Sequence, residues 1–194
     1  MTKIQRVLSQ VATLLSDQQR RWALVGGMAV SARTTPRFTQ DVDVAVVVQS
    51  DAEAEATARA FRDSGFKVTA MVEQEAAGRL ATVRLLPPGE SPAGIIVDLL
   101  FASSGIEPEI VAAAEPLEVF PGLRAPLPRI GHLIAIKILA RDDRRRPQDL
   151  VDLRALLDVA DTEDLDLARA ALRLIEERGF HRNKRLLGEL ETLL

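Results

Sequence analysis

Two aspartates separated by one residue, Asp41 and Asp43, begin an apolar run that ends at Val48. Side chains alternate across a strand, so both carboxylates are expected on the same face of a strand formed by this run. Strands tolerate Asp poorly, and neighbouring like charges repel unless a cation lies between them. Mg²⁺ suits that position, because it takes oxygen ligands from one or two carboxylates and shares substrate phosphates. The pattern favours a metal ion with a bound phosphate compound.

A pair of glycines, Gly26 and Gly27, follows the apolar run Trp22–Val25 and precedes a helix-compatible segment. Glycine lets the backbone approach an anion closely, and N–H groups at a helix start bind phosphate. The pair is weak support by itself, since it lacks the third glycine of a dinucleotide-binding motif and the Gly-Lys-Ser/Thr of a P-loop. Together with the two aspartates it indicates a metal–nucleotide site.

Asp98 is the only charged residue in the apolar segment Gly94–Phe101. An ionised carboxylate there is costly unless a cation or several hydrogen-bond donors meet it. On this residue alone, pairing with an arginine and binding of a metal are equally compatible with the sequence. Because Asp41 and Asp43 lie upstream, we favour a third metal ligand, as in sites that hold two ions roughly 3.5–4 Å apart.

Lys137 is the internal cation of an apolar helix predicted for residues 129–141. Helical periodicity places it on the face that should pack inward, and Arg141 and Arg144 continue the same stripe if the helix continues. A lysine that extends to the surface is one interpretation. We favour the other, in which Lys137 meets the β- and γ-phosphates of a nucleotide.

Two further aspartates, Asp149 and Asp152, lie near the start of a helix predicted for residues 147–159. Acids are favoured there by the helix dipole, and this explanation suffices for Asp152 and nearly for Asp149. His132 and His181 are far apart and are interpreted as ordinary structural or surface residues.

The composition of the 194 residues excludes several classes of site. There is no Cys, which rules out disulfides, thiolate zinc sites and Cys nucleophiles. Aromatic residues make up only 4%, and the formal charge is −3, which argues against a general nucleic-acid binder. The first residues carry no apolar signal core and no run is long enough to span a bilayer, so a cytoplasmic protein is expected.

Periodicity and turn residues predict an α+β half, residues 1–128, followed by a helical half, residues 129–194. The segment Pro87–Pro92 is predicted to join two strands as a hairpin. Strands are predicted at 22–25, 41–48, 66–72, 80–86 and 94–101, with two short extended pieces at 117–120 and 123–125. Helices are predicted at 3–20, 28–33, 51–64, 108–114, 129–141, 147–159, 163–178 and 183–193.

A Gly-Gly pair, an Asp-x-Asp in an apolar strand and a later strand aspartate together resemble the DNA polymerase β-like nucleotidyltransferase superfamily. Two segments look like its AbiEii branch, which contains nucleotidyltransferase toxins of abortive-infection toxin–antitoxin systems. They are Arg37-x-Thr39-x-Asp41-Val42-Asp43 and Lys137-x-x-Ala140-x-x-x-Arg144-x-x-x-x-Asp149-x-x-Asp152-Leu153. The likeness covers about residues 22–157.

The resemblance implies a small mixed sheet with helices, and a helical C-terminal half that completes a nucleotide cleft. It implies that Gly26 and Gly27 hold the triphosphate through backbone N–H groups, and that Asp41 and Asp43 bind two Mg²⁺ ions. Asp98 would be the third metal ligand and would help to activate an acceptor hydroxyl.

The resemblance further implies nucleotide contacts by Arg37, Thr39 and Arg144, with Lys137 and Asp149 as the essential pair of the later motif. There are two departures from the pattern. Gln148 stands where a basic residue is usual, and Met28 stands where Thr or Ser often follows the glycines.

The implied reaction transfers a nucleoside monophosphate from an NTP to a hydroxyl of an RNA end, a protein or a small molecule, with release of pyrophosphate. A cognate toxin or antitoxin protein is a further expected partner, and no membrane is. Three alternatives remain open at the sequence level. They are a catalytically silent antitoxin or regulator, a Mg²⁺–nucleotide-binding module without transfer, and an enzyme acting on tRNA ends through the basic residues Arg124, Arg129, Arg141 and Arg144–Arg146.

Overall fold

A computed structural model describes residues 1–74 and 77–194 of the chain. Its centre is a mixed sheet in the order β1-β2-β5-β4-β3, in which β2 and β5 are parallel and the other neighbours antiparallel. The strands are β1 Trp22–Val25, β2 Asp41–Val46, β3 Lys67–Gln74, β4 Arg79–Leu86 and β5 Ile96–Leu100. The five predicted strands and the β4–β5 hairpin are confirmed.

A small hairpin and a set of helices surround this sheet. The hairpin consists of β6 Glu115–Phe120 and β7 Leu123–Leu127. The helices are α1 Lys3–Asp17, α2 Gly26–Arg33, α3 Asp51–Asp63, α4 Glu107–Ala112, α5 Ile130–Ala140, α6 Pro147–Leu157, α7 Thr162–Glu177 and α8 Leu186–Glu191. In the part of the chain that the structure describes, no helix is both long and apolar enough to cross a bilayer.

Strand β2 lies at the centre of the core. Its residues from Val42 onward, apart from Asp43, are buried, and helices α1, α2 and α4 contact it. This burial on both faces explains the run of valines after the two aspartates, because β-branched side chains pack well in a buried strand. The opposite edge differs, since every residue of Lys67–Glu73 in β3 is exposed.

Several helix boundaries differ from the sequence prediction by one to three residues, and those of α5 and α8 have a clear cause in the backbone. Helix α5 ends at Ala140, and Arg141 has extended backbone dihedrals, so the expected continuation of an inward stripe to Arg141 and Arg144 is wrong. Helix α8 begins later than predicted because Arg182 and Asn183 have φ angles of 53° and 59°, which a right-handed helix cannot contain.

Helices α5 and α6 contact α2, and α5 also packs against α6, α7 and α8. Gly131 makes the crossing with α7 close. A Cβ atom at this position would lie 2.8 Å from Leu167 Cβ and 2.9 Å from the backbone nitrogen of Ala168. The two helices can therefore approach this closely only with glycine at the contact.

We expect Gly131→Ala to destabilise the protein by about 1–3 kcal/mol, because α5 and α7 must separate. The matched control is Gly188→Ala in α8, where the nearest atom to the new methyl group is 3.8 Å away. Alanine is favoured in a helix there by up to about 1 kcal/mol. Urea unfolding of both variants measures the difference. Equal stability of the two variants would contradict the close α5–α7 contact.

Candidate active site

One row of paired residues runs across four strands of the sheet. Val25 in β1 pairs with Asp43 in β2, Asp43 pairs with Asp98 in β5, and Asp98 pairs with Arg84 in β4. Side chains in one row point to the same face, and neighbouring strands are about 4.8 Å apart. Asp41 lies on that face two residues before Asp43. The structure thus brings together the three predicted carboxylates and adds an arginine.

The Asp43 carboxyl group is strongly perturbed. Its pKa is raised to about 7, chiefly by burial and then by the charges of Asp98 and Asp41, while Lys137 and Arg146 oppose the shift. Desolvation is the largest cause of the shift, and the like charges come second. A cation close to Asp43 would offset both, because it favours the ionised carboxylate.

Asp98 is held by Arg84. The Nε and Nη2 atoms of Arg84 donate to Oδ1 and Oδ2 of Asp98 at 2.9 and 2.7 Å. The arginine pairing that the sequence left open is therefore formed, and both carboxylate oxygens are occupied by it. The role of Asp98 as a metal ligand remains a prediction.

The site has donors for a divalent cation, although fewer than the sequence suggested. Among residues 1–74 and 77–194, no group of three or more His, Cys, Asp or Glu side chains is arranged to hold a metal ion. Asp41 and Asp43 alone still fit the requirement of Mg²⁺ for one or two carboxylates plus substrate phosphates. The raised pKa of Asp43 is the observation that supports this fit.

Gly26 is required by the close approach of Asp43. Its φ angle is +67°, and a Cβ atom there would overlap the carboxylate, lying 2.7 Å from Asp43 Cγ. Gly26 also begins α2, and Val25 before it provides no side-chain cap. The unpaired N–H groups of the first turn of α2 therefore begin beside the acidic row, where such groups favour an anion.

Gly27 leaves room for a neighbouring side chain, and its contact with the triphosphate through the backbone N–H stays a prediction. A side chain at this position would collide with the guanidinium of Arg37. Arg37 in turn donates from Nε and Nη2 to the two oxygens of Asp152, at 2.7 and 2.8 Å. Gly27 and Arg37, both predicted to bind nucleotide, are thus parts of a contact between α2 and α6.

Lys137 lies at the centre of this buried network. Its Nζ atom is 2.8 Å from Asp149 Oδ1 and 2.7 Å from Asp152 Oδ2, and all three side chains are at least nine-tenths buried. Burial raises the pKa of Asp152, but hydrogen bonds from Arg37 and Lys137 outweigh it and hold that pKa below its usual range. The explanation of Asp152 by the helix dipole alone is therefore wrong.

A cavity of about 370 Å³ lies over the acidic row and reaches the helical half. Five predicted site residues line it: Gly26, Asp41, Asp43, Asp98 and Lys137. Within the described residues, the lining does not include Gly27, Arg37, Thr39, Arg144 or Asp149. The cavity is thus shared by the sheet and by α5.

Three arginines on the cavity wall were not predicted as site residues: Arg84, Arg146 and Arg182. Arg146 precedes α6 and places Nε 3.0 Å from Asp149 Oδ2. Arg182 donates to the carbonyl of Ser103 at 3.0 Å, and burial, then the charge of Arg146, lowers its pKa. Arg182 has a positive φ angle and lies in the connection before α8. Hydrophobic periodicity predicts helices and strands, so it gives no sign that this connection brings Arg182 to the cavity.

Comparison with known proteins identifies the fold and a family. A family model described as nucleotidyl transferase AbiEii toxin, type IV TA system, matches residues 6–193. No curated protein matches the chain.

Three solved structures are similar to the chain along most of its length. An antigenic nucleotidyltransferase-like protein from Paracoccidioides brasiliensis is 21% identical, with a TM-score of 0.52 over 91% of this chain and 88% of that one. The antibiotic-resistance factor ANT(2″)-Ia in solution is 15% identical, with a TM-score of 0.59 over 98% and 97%. A crystal structure of ANT(2″)-Ia with adenylyl-2″-tobramycin is 14% identical, with a TM-score of 0.59 over 89% and 98%. These likenesses show a nucleotidyltransferase fold.

The raised pKa of Asp43 predicts a pH-dependent stability. The unfolded chain releases this proton near pH 3.8 and the folded chain near pH 7, so the folded state binds more protons in between. The contribution of Asp43 to stability therefore falls as pH rises from about 4 to about 7. In buffer with EDTA, we expect Asp43→Asn to raise Tm relative to wild type by more at pH 8 than at pH 5. Asp63→Asn, at an exposed position in α3, is the control, and an unchanged Tm difference for Asp43→Asn would contradict the shift.

The Lys137 network predicts strong coupling. Lys137→Met leaves two aspartates in the interior without this cation, which we expect to cost about 3–5 kcal/mol. Combining it with Asp152→Asn removes part of the unpaired charge, so the two losses should not add. A double-mutant cycle by urea unfolding measures the coupling. Additive losses would show that Lys137 and Asp152 act independently.

Proposed function

The chain belongs to the AbiEii nucleotidyltransferase family, and we propose that it transfers a nucleoside monophosphate from an NTP to a hydroxyl group with a divalent metal ion at Asp41 and Asp43. The observation that carries the proposal is the position of these two carboxylates. They share one face of the sheet, beside the uncapped start of α2, and line a cavity whose other walls carry Lys137 and arginines.

Binding of the triphosphate follows from the charges around this cavity. The first N–H groups of α2 attract an anion, and Arg146 and Arg182 offer positive charge on the opposite wall. Lys137 is held in place by Asp149 and Asp152 and still lines the cavity. These groups orient the phosphate chain and neutralise part of its charge, which is the main task of a protein in phosphoryl transfer.

The chemical step forms a bond between the acceptor oxygen and the α-phosphorus and breaks the bond from that phosphorus to the bridging oxygen of pyrophosphate. The metal ion, when bound, supplies positive charge to the α-phosphate. Asp98 is positioned by Arg84 on the cavity wall and takes the proton of the attacking hydroxyl.

The acceptor is proposed to be an RNA end, a protein or a small molecule, and the chain a component of a toxin–antitoxin system. The family description refers to a toxin, which supports the second part. The similar ANT(2″)-Ia structure contains adenylyl-2″-tobramycin, an adenylylated small molecule. These observations support different acceptors, so the experiment has to compare them directly.

A nucleotide-binding protein that does not catalyse transfer is the second candidate. The Arg84–Asp98 pair favours it, because a group that occupies both oxygens of Asp98 competes with a role in catalysis. Release of pyrophosphate distinguishes the two candidates, since binding alone produces none.

We expect the purified protein, incubated with each α-labelled NTP and Mg²⁺, to label one of three pools: total RNA, lysate proteins or small molecules. Asp41→Asn and Asp43→Asn should each lower labelling and pyrophosphate release at least about a hundredfold, because a metal ion is worth several kcal/mol to the transition state. Asp63→Asn, at an exposed position in α3, is the matched control and should retain activity. Full activity of the Asp41→Asn/Asp43→Asn double variant would overturn the proposal.

A further inference from the structure

The charges of the acidic row do not match those of a site with two divalent ions. This face of the sheet carries three carboxylates, those of Asp41, Asp43 and Asp98. Arg84 adds one positive charge to the same face. The remaining charge of the row corresponds to one divalent ion.

We propose that Arg84 supplies to Asp98 the positive charge that a second metal ion would supply, so that the site without nucleotide holds a single divalent ion at Asp41 and Asp43. This inference rests on the proposed function only in taking Asp41 and Asp43 as the metal ligands.

The geometry of the Arg84–Asp98 pair is the first support. Two parallel hydrogen bonds, at 2.9 and 2.7 Å, occupy both oxygens of the carboxylate. Such a paired contact matches the planar fork of arginine and is stronger than contacts between neutral groups. An ion that binds to Asp98 has only the second lone pair of each oxygen to use and meets the positive charge of the guanidinium, whereas an ion that binds to Asp41 and Asp43 needs neither oxygen of Asp98.

The surroundings of the pair are the second support. The Asp98 side chain is only 11% exposed, whereas the Arg84 side chain is 51% exposed. The carboxylate is thus fixed in the sheet, and the guanidinium covers it from the cavity side.

Sequence position is the third support. Arg84 belongs to β4, which is antiparallel to β5, and the two residues are directly paired. The pairing is part of the sheet ladder and does not depend on a loop. The ladder therefore fixes the backbone of Arg84 directly beside Asp98.

The experiment counts bound Mn²⁺ without nucleotide by electron paramagnetic resonance of the free ion. We expect one Mn²⁺ per chain for wild type and two for Arg84→Met, because Asp98 becomes available. Arg84→Met/Asp98→Asn should return to one. Arg84→Lys, which keeps the charge, should bind one, and Lys67→Met, which removes a charge from the exposed strand β3, should also bind one.

The outcomes separate this inference from the proposed function. Binding of two ions by wild type overturns the role of Arg84. Binding of one ion by Arg84→Met, when this variant has the same Tm as wild type, also overturns it. If wild type shows transfer activity together with either of these results, the proposed function still holds and only the inference about Arg84 fails. No Mn²⁺ binding by wild type overturns both the inference and the metal dependence.

Discussion

Repulsion among three carboxylates on one face of the sheet is the constraint on which the site depends. The parallel pairing of β2 with β5 places Asp43 directly beside Asp98, with Asp41 two residues away. Asp98 is buried, Asp43 is half-buried and Asp41 is exposed, so water screens the row only in part, and the raised pKa of Asp43 reflects both desolvation and the remaining repulsion. Two features beside the row reduce the cost of this repulsion. One is Arg84 on the neighbouring strand β4, and the other is the uncapped start of α2.

A second network of buried charges connects helices α5 and α6 to the start of α2. Lys137 joins α5 to two aspartates of α6, and Asp152 extends the network to Arg37, which lies against Gly27. Buried ion pairs contribute little net stability compared with apolar packing, but they fix geometry because one partner without the other is costly. The network therefore sets where the first turn of α2 lies relative to the cavity.

The sequence predicted much of this arrangement, since the relevant signals are local. Alternation placed Asp41 and Asp43 on one face, and turn residues located the β4–β5 hairpin. The partner of Asp98 was not predictable, because the residues between the two strands do not fix their register. A shift by one residue would move Arg84 to the other face of the sheet. Asp152 was misjudged for a related reason, since a helix start shows which residues suit the dipole but not which face meets Lys137.

The separation of the paired residues along the chain has a consequence for biosynthesis. Asp43 and Asp98 come from strands about fifty residues apart, and Lys137 is later still. Parallel pairing over such a distance forms slowly, because the intervening chain must close before the contact is made. A nascent chain therefore has no acidic row until β5 has been synthesised, and no closed cavity until α5 follows. A chain interrupted before that point carries the Asp-x-Asp motif without the other walls of the cavity.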